Sequence, residues 1–320
     1  MKFLNVFAFL IYVLQAGSLW AQGAVRKDSI PDKEMRNAEY IQWYKENSEL
    51  SYTSPGGEIG APSRYVINGK LTTNYMVLGT AKLPVAFSVI PDFTVRVRKE
   101  RSAGVRTPSF RLGGVFYVRL TNASNRLDYL TLGFTHHSNG QDGDAINPDG
   151  TINTNNGNFS TNYLTLKYHF AGKVPLRAIS KSFMLGHNAG LEWHKWFDYE
   201  RALEHDYGFT RLLYSFSLRK YKEGKENWRV NWESSYAVNP MSAYHLDAVR
   251  KRLNAEISFH YAFPFMSNVF LMAAAGYYGE DPYNIYYRDQ YGYLRLGLSS
   301  GFLRARYNKK DVPQREYNRE

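Results

Sequence analysis

No cysteine occurs among the 320 residues. An exported chain of this size without disulfides must rest on a large core or a closed sheet. Long apolar runs are scarce too. The one at the start, "MKFLNVFAFLIYVLQAGSLWAQG", has one lysine, an apolar stretch and then small residues. It reads as a secretory signal peptide over residues 1–21, with Ala21 as its last residue. A spanning helix suits this stretch less, because the apolar run breaks at Gln15–Gly17. Beyond it, no run approaches the roughly 20 apolar residues that a spanning helix needs. A helical membrane protein is therefore excluded. The formal net charge of +11 would suit nucleic acid, but an exported chain rarely meets it. Anionic lipid surfaces or plain solvated lysines and arginines account for the balance.

Aromatic residues are plentiful at 16%, with 26 tyrosines. Period-2 alternation dominates from about residue 62. In "SFRLGGVFYVRL", Phe110, Leu112, Phe116, Val118 and Leu120 alternate with a set that includes Ser109, Arg111 and Arg119. In "NWRVNWESSYAV", Trp228, Val230 and Trp232 alternate with Arg229, Asn231 and Glu233. About twelve such segments are expected, near 62–69, 72–81, 85–98, 109–121, 126–138, 160–171, 183–195, 208–219, 226–238, 250–263, 267–279 and 290–303. Many exceed the 5–6 residues usual in soluble sheets and suit a tilted strand across a bilayer. Lipid offers no water to unpaired backbone groups, so a spanning sheet must close on itself. Charged residues recurring on the second face suit a polar lumen.

The expected fold is all-β, a transmembrane antiparallel barrel of about 12 strands in a bacterial outer membrane. The expected divisions are the signal peptide at 1–21, a polar segment at 22–61 outside the membrane, the barrel at 62–303 and a basic tail at 304–320. Short turns such as 121–126 mark the periplasmic side, and long loops such as 139–159 the outside.

Chemistry concentrates in "LDYLTLGFTHHSNG". Side chains of one parity share a face. Leu130, Leu132 and Phe134 therefore continue into His136 and Ser138, while His137 turns to the lumen. On "TNYLTLKYHF", Asn162 opens the same outer face, and Thr165, Lys167 and His169 point inward. An outward–inward neighbour pair would bring His136, Ser138 and Asn162 together near the outer membrane boundary. Polar groups facing lipid are costly and so point to function. A His–Ser pair at i, i+2 has the reach for a nucleophile and its base, and an asparagine carbonyl can orient the imidazole.

"HHSNG" at 136–140, with Asn162 downstream, resembles the outer-membrane phospholipase A family. The resemblance implies a twelve-stranded barrel with a lipid-facing site. In it Ser138 is the nucleophile, His136 the base and Asn162 the residue that orients His136, and the Gly140 amide supports the oxyanion. It also implies Ca²⁺ between two barrels of a homodimer and a phospholipid substrate cleaved at its acyl esters. Gln141 stands where the family usually has arginine. The loop "QDGDAINPDGTINTNNGNF" looks longer than the family's. Gln141, Asp142, Asp144 and Asp149, with Ser102 from the earlier loop, are the candidate calcium ligands, being hard oxygen donors. Two other readings stay open. Lipid A deacylases carry a similar His-x-Ser-Asn signature on smaller, eight-stranded barrels. A porin or structural barrel would use a lumen lined by Arg111, Arg119, Arg229, Glu233 and Arg295 without chemistry.

Overall fold

A computed structural model describes residues 30–99, 104–105, 108–122, 126–173, 183–195, 197–222, 225–263, 265–266 and 268–301. The expected signal peptide, Ser102 and the basic tail lie outside the described residues.

Among the described residues a long helix precedes thirteen strands. Helix α1 is Ile30–Glu46. The strands are β1 (Ser51–Pro55), β2 (Tyr65–Thr72), β3 (Tyr75–Gly79), β4 (Val85–Arg98), β5 (Ser109–Arg119), β6 (Tyr129–Ser138) and β7 (Ser160–Lys173). Then come β8 (Phe183–Trp193), β9 (Thr210–Lys222), β10 (Lys225–Ala237), β11 (Leu253–Ala262), β12 (Val269–Tyr278) and β13 (Tyr291–Ser300). Neighbours pair antiparallel, and β1 closes the ring by pairing β13, with Ser51 opposite Ser300. The strands β2 and β3 both pair β4, the first along residues 92–98 and the second along 86–89. They act in series as one stave. The thirteen strands therefore form a closed barrel of twelve staves.

This arrangement corrects two expected boundaries. The segments near 62–69 and 72–81 belong to a single stave, broken where the buried Asn74 turns its amide to Ser48 Oγ (2.7 Å) and Tyr117 Oη (3.1 Å). The missing stave is β1, inside the segment expected outside the membrane. At five residues it is too short for alternation to show.

That segment also supplies α1. Asn37, Tyr40, Trp43 and Tyr44 recur at helical spacing and are buried. They pack on Tyr117, Leu127, Tyr129 and Tyr221, with Tyr44 stacked on Tyr117 at 4.4 Å. Fully burying an aromatic of this kind contributes about 1.5–3 kcal/mol. Arg219 ties the helix end to the wall through Glu46 O (3.1 Å) and Asn47 Oδ1 (2.6 Å), and its guanidinium covers the Trp43 ring. The helix also bonds Ala81 O and Asp128 O, beside the short-connection end of the staves. The residues expected outside the membrane thus fill that mouth of the lumen.

The described connections at the other end run long, at 139–159, 238–252 and 279–290, whereas 80–84 is short. The long connections fold over the outer mouth as an apolar cluster that includes Phe159, Leu203, Phe209, Ile285 and Tyr287. Beneath it, Arg96 holds Asp281 at 2.6 Å and Glu58 at 3.4 Å, and Arg211 pairs with Glu280. Buried pairs of this kind add little net stability, but losing one partner costs about 3–5 kcal/mol. Between the two closures lies a polar cavity of about 420 Å³, lined by Glu49, Lys70, Arg111, Lys167, Glu233 and Glu256 among others. The outer wall is apolar, with Leu112, Phe116, Leu166, Leu212 and Leu296 exposed. Alternation has sorted polar side chains inward and apolar ones toward lipid.

Candidate functional site

Strands β6 and β7 pair in the register that their parity requires. His136 stands directly opposite Asn162, and Ser138 opposite Ser160. On the other side His136 faces Leu112 and Ser138 faces Phe110. His136 and Asn162 meet on the outer wall, His136 Nδ1 lying 2.9 Å from Asn162 Oδ1. His136 is exposed there, beside Phe134 and Leu112. Their apolar side chains continue the lipid-facing surface up to the polar groups.

Ser138 sits on the same face two residues on. Among the described residues no hydrogen bond joins its Oγ to His136. Residues two apart on a strand lie roughly 6.6 Å apart along the chain, so both side chains must lean together to meet. Catalytic hydrogen bonds are often long before substrate binds. Gly140 follows with φ of +65°, in the left-handed region, where glycine carries no steric cost. A Cβ there would touch the Phe110 ring at 3.4 Å.

Three contributors escape a reading by parity. Asn139, between the serine and the glycine, is buried and staples the outer loop. Its Nδ2 donates to Gly157 O (2.6 Å) and its Oδ1 accepts from Phe159 N (3.1 Å). Asp198 O accepts from Asn162 Nδ2 at 2.9 Å. Phe197 meets the Phe134 ring edge-on at 5.2 Å. The position of Asn139 within "HHSNG" could have flagged it. Nothing local could have flagged Phe197 or Asp198, which lie beyond the next stave.

The expected calcium loop is organised differently. Ile146 pairs with Ile152, and both pack on the outer aromatic cluster with Ala145. This small hairpin turns Asp149 to the tip, where its carboxylate accepts from Thr151 N (2.9 Å) and Thr151 Oγ1 (2.6 Å). The Thr151 hydroxyl, followed by its amide, holds the Asp149 carboxyl below the usual range. Asp142 and Asp144 are exposed and Gln141 is half-buried. Among the described residues no group of three or more histidine, aspartate or glutamate side chains could hold a metal ion. A calcium cage built from the acids of one chain does not fit. The reason is physical: the isoleucines claim the loop for packing and spread its carboxylates into solvent.

Outer membrane phospholipase A from Escherichia coli superposes with a TM-score of 0.52 at 10% identity, covering 80% of this chain and 98% of that one. The calcium-bound dimer of the Salmonella typhi outer membrane phospholipase gives a TM-score of 0.52 at 11% identity, over 84% of this chain and 98% of that one. The chain is an outer-membrane β-barrel. No family profile matches its sequence, and no curated protein does either. At such low identity the likeness establishes the fold alone.

Proposed function

We propose that this barrel is a calcium-dependent serine phospholipase A that hydrolyses acyl esters of glycerophospholipids in the outer membrane. The observation that carries the reading is the His136–Asn162 hydrogen bond on the lipid-facing wall, with Ser138 on the same face. In this mechanism Ser138 Oγ attacks the ester carbonyl while His136 takes its proton. The tetrahedral oxyanion is met by backbone N–H donors, with the Gly140 amide the one to test. Collapse expels the alcohol as His136 returns the proton to it. Water then takes the alcohol's place: His136 removes its proton as it attacks the acyl carbon, and returns that proton to Ser138 Oγ as the fatty acid leaves. A site on the outer wall lets acyl chains reach the serine without leaving the bilayer.

Calcium and a homodimer belong to the same proposal. The Salmonella typhi neighbour is a dimer with bound calcium. Because the acids of one chain form no cage, the donors would be hard oxygens beside the motif shared between two barrels, with Gln141 and Asp142 the first to substitute and Asp144, Asp149 and Ser102 next. The twelve staves argue against the eight-stranded lipid A deacylase reading. A helix filling one mouth argues against a solute channel. A sulfonyl fluoride should label Ser138 in the purified barrel, and mixed micelles of phospholipid should yield free fatty acid. Absence of both, in a barrel that remains folded, would overturn the enzyme reading. Excess EDTA should abolish acyl release, and full activity in EDTA would remove calcium from the proposal.

A further inference from the structure

From the contacts around Asn162 we infer that the start of the β8–β9 connection, through Phe197 and the Asp198 carbonyl, is a clamp that sets the tautomer of His136. The inference rests on the reading of His136 as the base. The same stretch grips three consecutive residues at the head of β7 from different sides. Glu200 N donates to Ser160 O at 2.9 Å, and Thr161 bridges Tyr199. In the lumen, Thr161 Oγ1 lies 2.6 Å from His194 Nδ1, while His194 Nε2 engages Glu192 at 3.0 Å. On the outer wall Asn162 Nδ2 donates to Asp198 O, and Phe197 rests on Phe134.

The consequence follows from donor and acceptor chemistry. A peptide carbonyl only accepts, so Asp198 O requires the NH₂ side of the Asn162 amide. That leaves Oδ1 toward His136. This oxygen also only accepts, so His136 Nδ1 must carry the proton. The lone pair of the neutral ring then lies on Nε2, the nitrogen left free to take a proton from Ser138 Oγ. An unclamped amide can turn over. Its NH₂ would then face Nδ1, the ring proton would move to Nε2, and Ser138 would lose its base. Phe197 and Asp198 are positioning residues that act through Asn162.

The test uses ¹⁵N-histidine-labelled full-length barrel in detergent micelles, with the His136 signals assigned by their loss in His136→Gln. The wild type should show the Nδ1–H tautomer. Phe197→Ala should give a mixture of tautomers and a roughly 10- to 100-fold fall in kcat with little change in KM, and Phe197→Leu should restore both. Should Phe197→Ala fail to fold, Phe134→Ala removes the other ring of the same contact and should give the same mixture of tautomers. Asn162→Asp, whose carboxylate only accepts, should hold the Nδ1–H tautomer without the Asp198 bond. A Phe197→Ala or Phe134→Ala barrel with a pure Nδ1–H tautomer and wild-type kcat overturns the clamp. The tautomer is read without turnover, so the two ideas fail separately. A tautomer that responds to Phe197 in a barrel without acyl release sinks the phospholipase reading and keeps the clamp. Acyl release that depends on Ser138 beside an indifferent tautomer does the reverse.

Discussion

Hydroxyl–imidazole pairs occur on the inner side of this wall, and the proposed one on its outer side. In the lumen, Ser109 Oγ meets His137 Nε2 at 2.8 Å, and His260 is held by Ser299 (2.7 Å) and Ser258 (3.0 Å). On the outer wall His136 is hydrogen-bonded to Asn162, and among the described residues no bond joins it to Ser138. The inner pairs are the more complete. They are also buried among cations such as Arg111 and Arg229, away from any acyl chain. With both ring nitrogens of His260 engaged, no lone pair is left for a substrate proton. The contrast separates two uses of the same side chains. A closed hydrogen-bond set consolidates the lumen, whereas an open one beside exposed phenylalanines and leucines leaves capacity for a reaction.

Removing one serine from each side separates the two uses. Ser138→Ala should lower acyl release by at least roughly 10⁴-fold, as loss of a serine nucleophile does. Ser109→Ala should leave turnover of folded barrel unchanged. Equal losses in micelle assays would mean that the outer serine is not special. Next in size is Asn162→Ala, which should cost roughly 10²–10⁴-fold in kcat, because the imidazole loses the group that fixes its tautomer. A wild-type rate in stopped-time fatty-acid assays would remove Asn162 from the site.

On the lumenal side the expected effects are on stability. Ser299→Ala leaves the buried His260 Nδ1 without its partner and should cost about 1–3 kcal/mol. Urea titration of the barrel in micelles measures it, and an unchanged midpoint would show that the inner network contributes nothing. The smallest effect concerns the helix in the lumen. Burial first, with the Glu226 charge adding, holds the Glu46 carboxyl above the usual carboxylate range, against bonds from Gln42 and Tyr221. A carboxyl raised in the folded state contributes stability that is full below its unfolded pKa and is lost as pH rises through the raised value. Glu46→Gln should therefore raise the thermal midpoint at about pH 8 and leave it unchanged at about pH 4. A pH-independent difference between the two proteins would contradict this.

Much of the wall is legible in the sequence. The segment expected at 85–98 is β4 itself, and 109–121, 160–171 and 267–279 each contain or overlap their strand almost fully. Alternation is a local property, and each residue's face follows from its neighbours at i±1 and i±2. The same logic placed His136, Ser138 and Asn162 outside and His137 inside. Short elements were illegible, because the five residues of β1 carry too few periods to stand out. The helix was hidden for another reason. Its buried face is made of Asn37, Tyr40, Trp43 and Tyr44, a polar-aromatic set that reads as solvent-exposed until a polar lumen is there to receive it.

By itself, then, the sequence determined strand parity, the sorting of polar and apolar faces, and the alignment of a histidine and a serine along one outer row. Only the tertiary structure decided that β1 closes the ring on β13, that β2 and β3 share a stave, and that α1 enters the lumen. It also decided what surrounds Asn162. Parity is set by the pleat of a single strand, whereas the orientation of an amide depends on which groups a distant loop delivers. Asp198 lies 36 residues beyond Asn162 and reaches it only because the staves β7 and β8 stand side by side.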